Sequence, residues 1–222
     1  MAEQLHRGEL PPELMSADRP QHPRRKLTWE EFLDWCNEDA NSEWVDGEVI
    51  MHSPVSQRHD DLVRFLQSIV DAYVRRLGLG KVQGPQFLMH IESHPSGRAP
   101  DLLFLRKEHL ARIRPTYVEG PADLVIEVIS DESIARDRGE KFLEYEEARI
   151  PEYWLLDPKR RVAEFYQLGP DGNFFSVPVT DGVYRSVQVE GLFVHLSWFW
   201  QEPMPDALDV LHELGVRGPS RG

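Results

Sequence analysis

The sequence predicts an α/β (α+β) fold, a central mixed β-sheet flanked by helices, and three observations indicate it. Residues 57–77 carry the apolar period of a long amphipathic helix. Residues 122–129 form a strand pattern that is apolar on both faces apart from Asp123 and Glu127, which is typical of a central strand covered on both sides. Residues 134–149 return to a helical period before further strand patterns follow. Helices and strands in this order pack as layers around one sheet.

A short helix and a hairpin precede this core. Thr28 followed by Glu31 is a capping-box pattern, and it predicts a helix that continues through Trp35. Strand patterns at 42–45 and 48–51 are separated by an Asp-Gly pair, which favours a two-residue hairpin turn. The sequence therefore predicts an N-terminal helix and hairpin ahead of the long helix.

The other elements follow from apolar period and turn residues. Gly78 and Gly80 end the long helix, because glycine accepts the left-handed backbone that closes a helix. The later elements are predicted as strands over 81–91, 99–105 and 122–129, a helix over 134–149, strands over 152–156 and 161–168 joined at Asp157-Pro158, and a β-rich extension over 169–200.

The chain is expected to hold one folded domain with irregular ends. Residues 1–24 are rich in proline and charge without a sustained period, so we expect a disordered tail there. The domain is predicted over 25–203. Residues 204–222 are expected to form a short helix, centred on 206–214, followed by a flexible end.

Composition limits the compartment and the partners. Cys36 is the one cysteine, which excludes an internal disulfide and a cysteine-based zinc site. No apolar run reaches the roughly 20 residues of a membrane span, and the N-terminus lacks the apolar stretch of a signal peptide, so we expect a soluble cytoplasmic protein. The net charge of −13 counts against a simple nucleic-acid coat but allows an enzyme that touches nucleic acid through a local basic strip.

Asp101 is the first candidate for chemistry. It belongs to one of three Pro-Asp pairs, and this pair alone leads directly into an apolar strand pattern. An aspartate at the head of a buried strand is costly unless a cation neutralises it. The alternative is a turn or cap residue at the entrance of the strand.

Glu127 is the second candidate, because it lies within the most apolar stretch of the domain. A buried carboxylate costs several kcal/mol or stays protonated unless a metal or a charged partner compensates it. Such positions tend to be functional. The alternatives are a buried ion pair with an arginine and an edge position that faces water.

Lys141 is the third candidate, and helical spacing places it toward the sheet. It shares a stripe with Ile134, Arg138, Tyr145 and Ala148. A different stripe, which carries Glu140, Glu144 and Glu147, is predicted to face water. The alternative is a lysine whose stem covers apolar surface while its ammonium reaches water.

Two carboxylates and an ammonium on one sheet favour metal-assisted hydrolysis. Hard divalent cations such as Mg²⁺ or Mn²⁺ bind one or two carboxylates together with waters and phosphates. A lysine beside them can orient or deprotonate the attacking water and stabilise developing charge. Asp101 and Glu127 are thus the predicted metal ligands, and the substrate implied is a phosphodiester.

Six ordered motifs give the chain a family resemblance. They are Glu43-Trp-Val-Asp-Gly-Glu-Val-Ile-Met51, Ser56-Gln-Arg-His59, Pro100-Asp-Leu-Leu-Phe104, Asp123-Leu-Val-Ile-Glu-Val-Ile-Ser130, Arg136-Asp-Arg-Gly-Glu-Lys141 and Glu152-Tyr-Trp-Leu-Leu-Asp-Pro158. Over roughly residues 27–200 the chain resembles the Uma2 family of restriction-endonuclease-like proteins, a branch of the PD-(D/E)XK nuclease superfamily. The resemblance implies a restriction-endonuclease-like central mixed sheet and divalent-metal chemistry on DNA.

The resemblance assigns roles to three positions. Asp101 matches the aspartate of the superfamily motif and Glu127 its acidic residue. The motif's lysine is expected two residues after the acidic residue, where this chain has Ile129. The resemblance implies that Lys141, on the following helix, takes over that role, and the stripe argument agrees.

Glu43 and His59 are further catalytic candidates. Superfamily nucleases often add an acidic group from an early element, as Glu43 would be, and His59 opens the stripe of the long helix. The alternatives are an exposed strand carboxylate and a helix-start histidine engaged in capping.

The resulting prediction is a metal-dependent endonuclease that hydrolyses DNA. The alternative is a catalytically inactive nuclease-like fold that binds protein or nucleic acid, which the acidic charge and the displaced lysine favour. A homodimer is expected from the family resemblance and from the two-fold symmetry of duplex cutting.

Overall fold

The computed structural model describes residues 23, 25–36, 41–130 and 133–216. The predicted tails at 1–24 and 217–222 lie outside these residues, apart from Pro23. Along the described part of the chain, no helix is both long enough and apolar enough to cross a membrane.

The helices are α1 (Trp29–Trp35), α2 (Gln57–Leu77), α3 (Lys141–Glu147), α4 (Leu196–Trp200) and α5 (Ala207–Glu213). The strands are β1 (Ser42–Val45), β2 (Glu48–Met51), β3 (Gly80–Gln83), β4 (Leu88–Ile91), β5 (Ser96–Arg98), β6 (Leu102–Arg106), β7 (Tyr117–Glu119), β8 (Leu124–Val128), β9 (Glu152–Asp157), β10 (Val162–Leu168), β11 (Phe174–Ser176), β12 (Val183–Arg185) and β13 (Phe193–His195).

The N-terminal helix and hairpin form as their local sequence predicts. Thr28 accepts a hydrogen bond from the Glu31 backbone while the Glu31 carboxylate accepts one from the Thr28 backbone, which completes the capping box of α1. Strands β1 and β2 pair antiparallel around Asp46 and Gly47, whose φ angles are 46° and 85°. Two residues with positive φ define the type I′ turn that suits a tight hairpin.

A six-stranded mixed sheet forms the centre, with strand order β11-β10-β9-β8-β6-β3. Strand β8 lies inside it, parallel to β9 and antiparallel to β6. Helix α2 packs on one face through an apolar cluster that includes Leu66 and Ile126. Helix α3 and strand β4 cover the other face, where Met89, Val125 and Tyr145 meet. Burial on both faces explains the nearly continuous apolar sequence of β8.

A second sheet of five strands has the order β2-β1-β5-β4-β7, and β12 and β13 pair as a separate hairpin. The predicted class of helices around a mixed sheet is confirmed, together with the N-terminal helix and hairpin and a C-terminal β-hairpin. Strand β5 lies between β1 and β4 and pairs with both of them. This second sheet therefore brings Glu43 of β1 to within 3.0 Å of Lys141, which contacts Glu127 on the interior strand β8.

Three local predictions need correction. The single strand predicted over 81–91 is two strands, β3 and β4, separated by a turn at 84–87 that contains Pro85, which has no N–H for a ladder. The strand predicted over 99–105 starts at Leu102, and β5 precedes it. The helix predicted over 134–149 contains a π turn at Arg136–Glu140 before α3 begins.

Candidate active site

Glu127 lies near the end of β8 and is 3% exposed. Its Oε1 accepts hydrogen bonds from Lys141 Nζ at 2.8 Å and from the Tyr145 hydroxyl at 2.8 Å. Both donors come from α3, which covers this face of the sheet. The predicted alternatives for Glu127, an arginine partner or an edge position, are not what the structure shows, because its cationic partner is Lys141.

Lys141 is buried among three carboxylates. Its Nζ lies 2.8 Å from Glu127, 3.0 Å from Glu43 and 3.5 Å from Asp137. Burial alone would lower the pKa of Lys141, but these three negative charges outweigh it and raise the pKa well above its usual value. Lys141 is therefore held as an ammonium and does not reach bulk water, contrary to the snorkelling alternative.

Asp137 reaches Lys141 because the two residues are four apart across the π turn. A π turn changes the angle at which neighbouring side chains leave a helix, and such turns are frequent at functional sites. Burial raises the pKa of Asp137, and the positive charge of Lys141 opposes that rise.

Glu43 lies behind Lys141 and is fully buried. Its Oε1 accepts from the Ala99 backbone at 3.1 Å and lies 3.0 Å from Lys141 Nζ, and its Oε2 accepts from Arg98 at 3.0 Å. Burial would raise the pKa of Glu43, but Lys141 and Arg98 outweigh it and lower the pKa to about 2. Both oxygens are engaged, so Glu43 links β1 and β5 to Lys141, and the alternative of an exposed strand carboxylate is wrong.

Arg98 extends this ion-pair network. It is fully buried, contacts Glu43, and also donates to Glu144, with its Nε 2.7 Å from a Glu144 oxygen. Glu144 was predicted to face water, and it is 3% exposed instead. The side of α3 that carries Glu144 faces the second sheet. There Arg98 projects from β5 and neutralises the Glu144 carboxylate.

Asp101 lies across from Glu127. Leu102 pairs with Ile126 in the antiparallel ladder of β6 and β8, and continuing this register by one residue places Asp101 opposite Glu127. The Asp101 Oδ2 accepts from the Val128 backbone at 2.7 Å, so the aspartate also ties the start of β6 to the end of β8. Asp101 is therefore compatible with both predicted roles, a residue at the entrance of the strand and a site residue. Its Oδ2 holds the start of β6, and its Oδ1 stays available to a ligand.

His59 contacts Asp101 from the first turn of α2. Its Nε2 lies 3.4 Å from Asp101 Oδ2, and its backbone N–H donates to the Ser56 hydroxyl that caps the helix. The residue is 7% exposed, and the ring Nδ1 has no hydrogen-bond partner among the described residues. His59 thus takes part in capping through its backbone, as the alternative stated, and reaches the candidate site through its ring.

Negative charge exceeds positive charge around Glu127. Burial raises the pKa of Glu127 to about 8; the positive charge of Lys141 opposes this rise, and the negative charges of Asp137, Asp101 and Glu43 add to it. A carboxylate with this environment is incompletely compensated at neutral pH. An added cation would favour its ionised form.

The oxygen donors fit a hard divalent cation. Within the described residues, Asp101 Oδ1 and Glu127 Oε2 accept no hydrogen bond, whereas the second oxygen of each carboxylate is engaged. Across those residues no group of three or more His, Cys, Asp or Glu side chains is arranged to hold an ion by itself. Mg²⁺ usually binds one or two carboxylates and completes its shell with waters and phosphate oxygens, which suits this pair.

A cavity of about 800 Å³ opens onto these groups. Asp101, Glu127, Lys141 and His59 line it, while Glu43 stands behind Lys141 and does not. The structure therefore brings all five predicted residues into one connected cluster, four at the cavity wall and one supporting them.

Sequence reasoning missed several members of the cluster. Asp137 could have been found, because it lies four residues before Lys141 and inside a motif that carries the family resemblance. Arg98 and His52 gave no usable signal. Arg98 is buried only through the pairing of β5 with two other strands, and His52, which lies 3.7 Å from Glu43, follows directly after β2.

Comparisons with known proteins agree with this geometry. The model of the family described as "Uma2: Putative restriction endonuclease" matches residues 29–195. A solved structure from Anabaena variabilis, described as a "putative nuclease belonging to DUF820", is similar with a TM-score of 0.65 and 15% sequence identity, covering 78% of this chain and 97% of that one. At that identity the likeness concerns the fold. No curated protein matches the chain.

Proposed function

The chain belongs to the Uma2 family, and from that premise we propose that it is a divalent-metal-dependent endonuclease that hydrolyses phosphodiester bonds of DNA. The observation that carries the proposal is the position of Asp101 across from Glu127, with Lys141 Nζ 2.8 Å from Glu127 Oε1 at the wall of one cavity. Two acidic groups and a lysine in this arrangement suit metal-assisted attack of water on a phosphodiester.

Asp101 and Glu127 would hold the cation through the oxygens that accept no hydrogen bond from the described residues. The cation, Mg²⁺ or Mn²⁺, would supply Lewis acidity toward the phosphate and lower the pKa of a coordinated water. The Val128 backbone N–H and the His59 ring fix the orientation of Asp101, which is the role of the groups that surround a metal ligand.

Lys141 would orient the water and stabilise negative charge on the phosphate. Its raised pKa keeps the ammonium protonated, so its contribution is electrostatic and through hydrogen bonding rather than as a general base. Glu43 and Asp137 also contact the ammonium and would help to hold it in place. Glu43 is accordingly a positioning residue in this proposal.

A second candidate function is a nuclease-like fold that binds nucleic acid or protein without cleaving it. One observation favours it: Lys141 and Tyr145 already saturate one oxygen of Glu127, so the carboxylate is partly compensated without a cation. The two candidates differ in whether the pair Asp101 and Glu127 binds a divalent ion.

Calorimetric titration with Mn²⁺ and cleavage of circular DNA together separate the two candidates. The endonuclease proposal expects one bound ion per chain and metal-dependent cutting of circles, which have no ends for an exonuclease. Both should be lost in Asp101→Asn and retained in Asp209→Asn, an exposed residue of α5 that serves as the matched control. Intact circles in every metal, with no heat of binding, would favour the binding module.

The chemistry proposed here needs a single chain, because every group named comes from one copy. The homodimer predicted from duplex cutting is therefore a separate proposal. Sedimentation of the full-length protein tests it, and a monomer at assay concentrations would overturn it without touching the site.

A further inference from the structure

Arg136 lines the cavity beside Asp137 and begins the π turn. Within the part of the chain that the structure describes, its side chain forms no ion pair and no hydrogen bond, and its Nε is buried without a partner. Arg98 and Arg138 differ, because carboxylates of Glu43 and Glu164 respectively pair with them. A guanidinium is charged at every relevant pH and has five donors in a planar fork, which suits a phosphate.

The groups at the candidate site lie deep. Glu127 and Lys141 are each 3% exposed, so a phosphate must enter the cavity to reach them. A volume of about 800 Å³ is in the range of pockets that enclose a drug-sized ligand, and it is comparable to about two nucleotides. A ligand of that size is a short piece of one strand, so a duplex would have to open locally to place such a piece in the cavity. Enzymes that act inside a pocket take single-stranded substrate or extrude the target nucleotide.

Few cations surround the cavity. Among the described residues, the lysines and arginines that line it are Arg58, Arg136, Lys141 and Lys159, in a chain whose net charge is −13, and Lys141 is already paired with three carboxylates. Proteins that grip duplex DNA electrostatically commonly neutralise about 6–10 phosphates. Four cations match a short stretch of one strand instead. Arg58 is also anchored, because it donates to the Phe199 carbonyl at 2.6 Å, which leaves Arg136 as the guanidinium best able to bind a ligand.

Apolar side chains form part of the cavity wall next to the acidic groups. Met51 is 45% exposed and Val55 is 49% exposed, and Pro54 lies between them along the chain. Bases that have left a duplex expose apolar faces, and a half-exposed apolar wall can contact such faces without reading their sequence. The wall therefore complements an unpaired strand better than the phosphate surface of a duplex.

We propose that the cavity admits a single, locally unpaired DNA strand and that Arg136 binds the phosphate of that strand next to Asp101 and Glu127. The inference rests on the proposed function, since it takes DNA as the ligand. The inference adds two points to that function: the substrate strand is unpaired, and Arg136 anchors its phosphate.

Fluorescence anisotropy with the full-length protein tests the proposal. The probes are a labelled single-stranded oligonucleotide and the duplex of the same sequence, each titrated in Ca²⁺ over a series of salt concentrations, with a denaturing gel to verify that the probe stays intact. The single strand should bind at least tenfold more tightly than the duplex. Arg136→Gln should weaken single-strand binding roughly tenfold to hundredfold and reduce the salt slope by about 0.7, the contribution of one phosphate contact.

Arg76→Gln is the matched control, because it removes the same charge from an exposed position in the last turn of α2. Its affinity and salt slope should equal those of the wild type. Equal or tighter binding of the duplex would overturn the single-strand inference, and an equal effect of the two substitutions would overturn the role of Arg136. Absence of binding to either probe would overturn both, while Mn²⁺ calorimetry would still test the proposed metal site separately.

Discussion

Lys141 Nζ lies 2.8 Å from Glu127 Oε1, and both residues are 3% exposed. The pair joins α3 to the central strand β8 at the point where the sheet meets the cavity. Removing one member of a buried ion pair leaves the other charge without compensation, which typically costs about 3–5 kcal/mol. The pair is therefore expected to be important for stability as well as for chemistry.

A double-mutant cycle measures this coupling. Lys141→Met should lower the free energy of unfolding by about 3–5 kcal/mol, because Glu127, Glu43 and Asp137 would then repel one another. Adding Glu127→Gln should recover part of the loss, since a neutral amide at this position does not need a buried cation. Urea unfolding of the two single variants and the double variant gives the coupling energy. Strictly additive losses would contradict the contact.

The lowered pKa of Glu43 predicts how the free energy of unfolding depends on pH. Its pKa is lowered from 4.5 to about 2 in the folded protein, so its ionised form stabilises the fold at pH values above about 4.5, and this contribution is lost as pH falls toward 2. A shift of that size corresponds to roughly 3 kcal/mol. Glu43→Gln should be less stable than wild type at pH 7, and the difference should shrink below pH 4.5. A difference that stays constant between pH 7 and pH 3 would contradict the assignment.

His59 is expected to orient Asp101 rather than to support the fold. Its Nε2 lies 3.4 Å from Asp101 Oδ2, and groups that orient a metal ligand typically contribute about 10–100-fold to metal affinity. His59→Ala should weaken Mn²⁺ binding by about that factor, and His59→Gln, which retains a donor, should recover part of it. Circular dichroism checks that both variants stay folded. Unchanged Mn²⁺ affinity in His59→Ala would argue against the positioning role.

Glu152 provides a structural contrast on the other side of the sheet. This fully buried carboxylate accepts hydrogen bonds from the Trp154 indole at 2.7 Å, the Tyr184 hydroxyl at 2.8 Å and the Ser186 hydroxyl at 2.8 Å, and from two backbone N–H groups of the following turn. Glu152→Gln would place amide donors against donors, so the free energy of unfolding should fall by about 2–3 kcal/mol. Mn²⁺ affinity, measured at a temperature where the variant is folded, should not change. A large loss of metal affinity would link this cluster to the site.

Local elements of the fold could be predicted where the signal is carried by adjacent residues. The bounds of β1, β2 and α2 agree with those predicted, because an Asp-Gly turn, an apolar stripe and a terminating glycine each act over a few adjacent residues. The split between β3 and β4 and the start of β6 depend on strand pairing across the molecule. Those bounds were predicted less well for that reason.

In the candidate site too, features set by neighbouring residues were predicted, and features set by distant parts of the chain were not. Helical spacing correctly turned Lys141 inward, and the apolar neighbours of Glu127 correctly predicted its burial. The same spacing failed for Glu144, since its partner Arg98 comes from a strand 46 residues away in sequence. Whether an arginine is buried depends on which carboxylates the tertiary structure places beside it, and no local sequence pattern specifies this. The roles of the five candidate residues stay predictions until variants are measured.

The central claim is that Asp101 and Glu127 bind a divalent cation that hydrolysis requires, and one measurement tests it most directly. The rate at which the purified protein linearises circular single-stranded DNA is followed in Mg²⁺ for the wild type, Asp101→Asn and the control Asp209→Asn. We expect cutting by the wild type and the control that stops with EDTA, and a rate at least a hundredfold lower in Asp101→Asn. Equal rates in Asp101→Asn and wild type, or cutting that persists in EDTA, would contradict the claim.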